Sequence, residues 1–252
     1  QYLPIAMEKI PLVQQIKKAK TIKLFITDYL KQSAENEEDY NEAFAMVVEQ
    51  FVRLRCRHDF AFWAATYVYI KSKGGGGDVL FRLTRPQRRY IAMLEECRLN
   101  NEPIRIVMLK ARQWGGSTTT QMYMAWLQLC HKTGLNSLII AHVASASTTI
   151  KAMFQKMLDA YPISMLHRMA EDYDENEKKL VSVGMTGNIH HVPHRGCNIQ
   201  IGTAEKPDSC RSGDYSLVHL SEVGLWKKTE GKSPEDIVQA ACSGVVLRPY
   251  TM

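Results

Sequence analysis

The sequence of 252 residues lacks the patterns that identify several large classes of protein. It contains no uninterrupted apolar run of roughly 18 residues, the length that a membrane-spanning helix needs. Its first residues have neither the basic start nor the apolar middle of a secretory signal peptide. The six cysteines are scattered without a CxxC pair, which suits free thiols in a reducing cytoplasm better than disulfides or a zinc site. These absences predict a cytoplasmic globular protein without a membrane segment.

The chain has an ordinary globular composition and an uneven distribution of charge. Hydrophobic residues make up 45% and charged residues 23%, as in soluble domains with a packed core. The net charge of +6 is concentrated in residues 74–132, which hold nine lysines and arginines but only four acidic residues. Such a cationic cluster serves phosphate on a nucleotide or on nucleic acid, and an ordinary solvated surface is the alternative. Because the chain starts with Gln1 rather than Met, a processed or trimmed product is also expected.

The spacing of apolar residues divides the chain into two regions. Residues 1–73 place apolar side chains three and four apart, which predicts a helical N-terminal region. Four consecutive glycines at residues 74–77 then form a turn. Beyond it, β-rich runs alternate with helical stretches, which predicts an α/β fold with a largely parallel central sheet flanked by helices. The predicted strands are residues 104–109, 136–143, 180–183, 188–192, 198–203 and 215–220, and the predicted helices beyond the glycines are residues 118–131, 146–160 and 234–241.

The segment KARQWGGS, residues 110–117, lies between a predicted strand and a predicted helix. A phosphate-binding loop belongs in this position, because backbone N–H groups and the N-terminus of a helix point at the anion there. The strict pattern GxxxxGK followed by serine or threonine is not matched, since Gly116 stands at the lysine position and Lys110 at the first glycine. Gly115 and Ser117 match the second glycine and the magnesium-binding hydroxyl. A glycine-bearing turn with incidental basic residues is the alternative.

Three further motifs accompany this loop along the chain. They are LTRPQRR at residues 83–89, NIQIGTA and KPDSCRSG within residues 198–213, and YSLVHLSE at residues 215–222. With the loop between them, they resemble the ATPase portion of the large terminase subunit of tailed bacteriophages, from about Asp59 onwards. The resemblance implies a P-loop NTPase core over residues 74–252, incomplete at its C-terminal end and without the nuclease domain of that family.

The resemblance also assigns the nucleotide-binding residues. Large terminases often carry a basic residue on the N-terminal side of the loop, so Lys110 would reach the β- and γ-phosphates, with Arg112 beside it. Gln87 would read the adenine, because an amide can both donate and accept hydrogen bonds. An exposed helix N-terminus is the alternative reading of Gln87. The other expected nucleotide-binding residues are Gln113, Trp114, Gly115, Gly116, Ser117 and Thr118.

The catalytic residues follow from the two C-terminal motifs of the resemblance. Glu222 would be the general base that orients and deprotonates the attacking water, and a capping glutamate at a strand end is the alternative. Ser221 replaces the expected aspartate, and a neutral hydroxyl holds Mg²⁺ less well through its water shell than a carboxylate does. Arg211 would act on the nucleotide of a neighbouring subunit, or be a surface arginine or a loop salt bridge. The expected Mg²⁺ ligands are Ser117 and Ser221.

As a whole, the resemblance implies an ATPase that uses ATP and Mg²⁺ to translocate double-stranded DNA into a procapsid. Its expected location is the cytoplasm of an infected bacterial host, or of a host that carries the gene in a prophage. The expected partners are double-stranded DNA, the portal protein, the small terminase subunit and further copies of the chain in a ring. Two alternatives are another nucleic-acid motor such as a helicase, and a non-catalytic nucleotide-binding or scaffold module, which Gly116 and Ser221 motivate.

Overall fold

A computed structural model describes most of the chain. The chain divides into two compact units, Gln1–Trp63 and Ala64–Met252. Within the described part, no helix combines the length and the apolar character needed to cross a membrane. Arg112, Arg211 and the predicted strand at residues 180–183 lie outside the described residues. The described residues are 10–20, 24–25, 27–28, 37–72, 74–111, 113–166, 188–192, 195–206, 213–228, 233–243, 245 and 249–252.

The described part of the first unit is helical. Helix α1 spans Pro11–Lys18, and its proline in the first turn has a backbone angle already suited to a helix start. Helix α2 spans Glu37–His58 and is followed by α3, Phe60–Tyr67, whose first residues belong to this unit. Asp59 separates α2 from α3, because its carboxylate accepts a hydrogen bond from the N–H of Phe62 at 3.0 Å and thereby caps α3.

The second unit contains a hairpin at the predicted glycine turn. Strands β1, Tyr69–Lys71, and β2, Asp78–Leu80, pair antiparallel on either side of it. Gly75, Gly76 and Gly77 all have positive φ angles, between 81° and 105°, which residues with a side chain rarely adopt. The turn was therefore predicted correctly from the glycines, whereas the two short strands that it joins were not predicted.

A mixed four-stranded sheet forms the centre of the second unit. Its strands are β3, Asn136–Ala141, β4, Ile189–Val192, β5, Cys197–Thr203, and β6, Leu217–Leu220. They lie in the order β4-β5-β3-β6. Strand β3 pairs in parallel with β5 and with β6, and β4 pairs antiparallel with β5. The α/β class with parallel strands at the centre is thus confirmed, and four predicted strands are present within a residue or two of their predicted limits.

The central strand β3 is buried on both faces. Helix α7, Pro234–Cys242, packs Ile237 and Ala241 into a cluster with Leu138 and Ile140 of β3. Ile139 points to the opposite face of the strand, because side chains alternate, and it too is fully buried. Burial on both faces explains the continuous apolar sequence of β3. The remaining helices are α4, Arg85–Leu99, α5, Gly116–Trp126, continued by a π-helix at Leu127–His131, and α6, Ala144–Ala160.

A buried polar network joins α4 to α5. The guanidinium of Arg98 pairs with the carboxylate of Glu95 at 2.7 Å, and the hydroxyl of Tyr123 donates to the same carboxylate at 2.6 Å. Burial, followed by the charge of Glu95, raises the pKa of Tyr123, so this hydroxyl keeps its proton and remains a donor. Arg98 also lies 5.5 Å from the centre of the Trp126 ring. These contacts fix the two helices on either side of the predicted phosphate-binding loop relative to each other.

The predicted strand at residues 104–109 is wrong, because this segment has no regular secondary structure and forms no ladder with any strand of the described residues. Thr251 and Met252 lie between it and β6: Thr251 accepts a hydrogen bond from the N–H of Ile104 at 2.9 Å, and Met252 bonds to Ser216 and Val218. These two residues reach only the beginning of the segment. Further along, Val107 and Leu109 are 99% and 100% exposed. The apolar pattern of a strand is present, but within the part of the chain that the structure describes no neighbouring strand pairs with it.

His190 on β4 predicts a loss of stability in acid. It is 1% exposed, and neither ring nitrogen has a hydrogen-bond partner among the described residues. Burial, followed by the charge of Lys151, lowers its pKa below the ordinary value of 6.5. The unfolded chain therefore binds a proton at His190 as the pH falls through about 6.5, whereas the folded chain resists it. We expect the free energy of unfolding to decrease over this range and below it.

Urea titrations of the parent chain and of His190→Met between pH 7.5 and pH 5 measure this effect. Methionine fills a similar volume without an ionisable group, so the variant should lose stability less steeply as the pH falls. At pH 7.5 the variant should be about as stable as the parent, because it removes buried polar atoms that have no partner. Curves of equal slope for the two proteins would contradict the assignment of the effect to His190.

Candidate functional site

The loop before α5 has the backbone shape that presents N–H groups to an anion. Gln113 and Gly115 have positive φ angles of 64° and 80°, and Gly115 is the N-cap of α5. The first bond of the helical ladder runs from the N–H of Thr119 to the carbonyl of Gly115 at 3.0 Å. Three N–H groups precede that bond at the positive end of the helix dipole. They belong to Gly116, Ser117 and Thr118.

Lys110 lies across the first residue of α5. A Cβ atom added to Gly116 would come 3.2 Å from Cδ of Lys110 and 2.7 Å from the indole ring of Trp114. Gly116 therefore has no room for a side chain of its own. In the sequence, Gly116 occupies the position at which a strict phosphate-binding loop has its lysine. In space, the side chain beside Gly116 is that of Lys110, which lies six positions earlier in the chain.

The charge of Lys110 also reaches strand β6. Burial, followed by the positive charge of Lys110, lowers the pKa of His219 on β6 to about 4. His219 is thus neutral at pH 7, and its Nδ1 lies 3.4 Å from the side-chain nitrogen of Gln121 on α5. Since His219 precedes Glu222 by three residues, these contacts connect the loop and α5 with the strand that ends in the candidate catalytic glutamate.

Glu222 lies directly beyond β6 and contacts a residue that sequence reasoning missed. Its carboxylate is 2.9 Å from Nδ1 of His142, and its side chain is 40% exposed. His142 follows β3 just as Glu222 follows β6, and the carboxyl ends of these parallel neighbours meet at the same edge of the sheet. Glu222 has a positive φ angle of 57°, an unusual conformation for a residue with a side chain. Its carboxylate is therefore held by both its backbone and His142.

The backbone of Ser221 fixes the direction in which Glu222 leaves the sheet. Its N–H donates to the carbonyl of Ile140 at 2.9 Å, and its carbonyl accepts from the indole N–H of Trp226 at 3.1 Å. Ser221 itself is 9% exposed. Across the described ranges, no three histidine, cysteine, aspartate or glutamate side chains are grouped as metal ligands.

Gln87 lies against the loop from the first turn of α4. Its side-chain nitrogen donates to the carbonyl of Trp114 at 3.0 Å, and its side-chain oxygen accepts from the N–H of Thr84 at 2.8 Å. The ring of Tyr90, one turn further along α4, meets the indole of Trp114 edge to face, with centroids 6.1 Å apart. Helix α4 thus holds the loop at two places.

The structure brings most of the expected site residues into two neighbouring groups. The first group contains Gln87 and the loop with the first turn of α5, in which Gln113 is exposed. The second contains Ser221 and Glu222 at the end of β6. Arg112 and Arg211 cannot be placed, since neither belongs to the described residues. A signal for His142 existed in the sequence, because it is the polar residue that directly follows the apolar run at residues 138–141, although it lay inside the predicted strand.

No model of a known protein family matches this chain, and no curated protein matches it in sequence. The second unit combines a mixed four-stranded sheet with the loop before α5 and the strand ends beside it, and these features define the candidate site.

Proposed function

We propose that this chain is the ATP-hydrolysing motor portion of a viral terminase, which translocates double-stranded DNA into a procapsid. The observation that carries the proposal is the position of Lys110. Its stem lies against Gly116 at the N-terminus of α5, and its charge adds to the effect of burial in lowering the pKa of His219 on β6. A lysine at this place, supplied from the N-terminal side of the loop, is what the resemblance to large terminases implies. The proposal assigns the P-loop NTPase fold to the second unit.

The loop fits the phosphate groups of ATP. The first N–H groups of α5 and the ammonium of Lys110 would donate to phosphate oxygens, as charge-assisted hydrogen bonds do at other helix N-termini. Gly115 and Gly116 leave room for the side chains that pack against the loop, that of Gln87 beside Gly115 and those of Lys110 and Trp114 beside Gly116. The hydroxyl of Ser117, in the first turn, would hold Mg²⁺. When bound with ATP, Mg²⁺ neutralises part of the charge on the phosphates.

Glu222 would act on the water that attacks the terminal phosphate. Its carboxylate is partly exposed and so can reach a water molecule, while the contact of 2.9 Å with His142 limits its orientations. The hydroxyl of Ser221 stands where the resemblance implies an aspartate. Fewer carboxylates mean weaker retention of Mg²⁺, and we therefore expect a high requirement for Mg²⁺ in hydrolysis.

The proposed partners follow from the motor function. Double-stranded DNA would be gripped through its backbone, a contact that weakens as salt is added. The portal protein, the small terminase subunit and further copies of the chain in a ring would complete the motor, with Arg211 acting on the nucleotide of the next subunit. Stimulation of ATP hydrolysis by duplex rather than single-stranded DNA distinguishes this motor from a helicase.

A non-catalytic nucleotide-binding module is the second candidate. It is favoured by Ser221 at the aspartate position and by Gly116 at the lysine position of the loop. Such a module would bind nucleotide through the same loop but would not turn it over. If the chain binds ATP, a phosphate-release assay separates the two candidates, because only the motor releases phosphate.

The primary test is the binding and hydrolysis of ATP in the presence of Mg²⁺ by the parent chain and by Lys110→Ala. A hydrogen bond to a charged group contributes about 1.5–3 kcal/mol, so we expect the variant to bind ATP at least about tenfold more weakly. Isothermal titration calorimetry measures the binding, and a phosphate-release assay measures the hydrolysis.

Lys71→Ala is the matched control, because Lys71 is an exposed lysine on β1. It should bind ATP as the parent does. Equal affinity of Lys110→Ala and the parent for ATP would mean that the loop is only a turn between residues 104–109 and α5. A parent chain that binds no ATP would contradict the proposed function of the described site.

A further inference from the structure

Gln87 has both ends of its amide bonded within the protein. Its oxygen accepts from the N–H of Thr84 at 2.8 Å, the contact of a capping box that starts α4. Its nitrogen donates to the carbonyl of Trp114, 27 residues further along the chain, at 3.0 Å. The side chain as a whole is only 4% exposed. One amide thus links the start of α4 to the loop that precedes α5.

The loop is built closely around this amide. A Cβ atom added to Gly115 would come 2.6 Å from the side-chain nitrogen of Gln87. Gly115 therefore needs to be glycine for two reasons, its φ angle of 80° and the position of Gln87. The hydroxyl of Tyr90 bonds to that of Thr120 on α5 at 2.9 Å, and the Tyr90 ring supports Trp114. Gln87 and Tyr90 thus attach the same face of α4 to both the loop and its helix.

A residue that reads a nucleotide base needs a donor and an acceptor directed at the ligand. In Gln87, one N–H and one acceptor site of the oxygen are already used, and little of the amide is accessible. The Trp114 carbonyl that it holds belongs to the peptide leading into Gly115. Displacement of that peptide would turn the N–H groups at the start of α5 away from a phosphate.

We propose that Gln87 is a positioning residue for the phosphate-binding loop and acts on the phosphate end of the nucleotide rather than on its base. This inference rests on the proposed function, because it concerns the same site. It has two consequences. Without any ligand, loss of the Gln87 amide changes the surroundings of Trp114. With ligand, it weakens the binding of any triphosphate by the same factor, whatever base is attached.

The first consequence is measured without nucleotide, by fluorine NMR of the chain labelled with fluorotryptophan. The four tryptophans give four signals, and Trp114→Phe identifies the one from the loop. Gln87→Glu keeps the acceptor for the N–H of Thr84 but replaces the donor to Trp114 by a carboxylate. We expect the Trp114 signal to move and to become more sensitive to solvent, while the other three signals keep their positions and show that the fold is intact.

Gln155→Ala is the matched control, since Gln155 is a glutamine on α6 that donates to Asp159 at 2.8 Å. It should leave the Trp114 signal in place. An unchanged Trp114 signal in Gln87→Glu would overturn the positioning role, and this result does not depend on whether the chain binds or hydrolyses ATP.

The second consequence is measured with ATP, GTP and inorganic triphosphate, each with Mg²⁺, on the parent and on the uncharged variant Gln87→Met. Loss of one net hydrogen bond corresponds to about fivefold in affinity. We expect the affinity for all three ligands to fall by that same factor. A loss confined to ATP would overturn the inference and make Gln87 a reader of adenine. If the parent bound none of the three ligands, the proposed function would fail, and the fluorine signal would still decide the role of Gln87 in the loop.

Discussion

Replacement of Glu222 by glutamine is expected to lower the rate of ATP hydrolysis by about 10²–10⁴-fold, the usual contribution of a positioned general base. Glutamine has the same shape but cannot accept the proton of the attacking water. The affinity for ATP with Mg²⁺ should change little, because the proposed phosphate contacts come from the loop and from α5 rather than from β6. Phosphate release under saturating ATP, together with calorimetric binding, measures the two quantities separately.

Glu235→Gln is the control for this experiment, since Glu235 is an exposed glutamate in the first turn of α7. It should hydrolyse ATP at the rate of the parent. Retention of more than about a tenth of the parent rate by Glu222→Gln would show that another group takes the proton. If the parent binds ATP but does not hydrolyse it, the non-catalytic nucleotide-binding module becomes the better account of the site.

The second large effect is expected in stability, from the replacement of Trp126 by alanine. Trp126 is fully buried at the end of α5, with its ring 5.5 Å from that of Tyr123 and 4.4 Å from that of His131. The guanidinium of Arg98 lies beside the same ring. Truncation of a buried aromatic residue costs about 3–5 kcal/mol, because it removes transfer free energy and leaves a cavity. We expect a decrease of this size in the free energy of unfolding.

Urea unfolding followed by circular dichroism measures the stability of Trp126→Ala. Leu99→Ala is the control, because Leu99 ends α4 with 51% of its surface exposed and should change the stability by less than about 0.5 kcal/mol. A decrease of less than about 1 kcal/mol for Trp126→Ala would contradict the packing described around its ring.

Local patterns were sufficient to predict several elements of this fold. The apolar run after Asn136 predicted β3, and the helical spacing that follows it predicted α6, each within about two residues of the observed limits. The paired glycines of the loop predicted a turn before α5, and Gly115 indeed adopts a positive φ angle, although the strand predicted before that turn is wrong. In each case the determining interactions join residues close together in the chain, so the sequence itself contains the information.

The same reasoning failed at residues 104–109, where the apolar pattern of a strand is as clear as in β3. A helix or turn satisfies its backbone groups from nearby residues, but a strand requires a neighbour whose identity no local pattern reveals. Beside this segment lie Thr251 and Met252, which pair with its first residue and with β6. Only the three-dimensional arrangement decides whether such a segment acquires a full ladder.

In the candidate site, too, some features were predicted from the sequence and others depend on the tertiary structure. The sequence provided the candidate chemical groups, since Lys110, the glycines of the loop and Glu222 were all predicted from motifs. The tertiary structure decided their contacts: His142 meets Glu222 because β3 and β6 are parallel neighbours, and Gln87 meets Trp114 because α4 packs beside the loop. Bonds between distant residues depend on how the strands and helices pack together, and the sequence pattern of each element alone does not specify that packing.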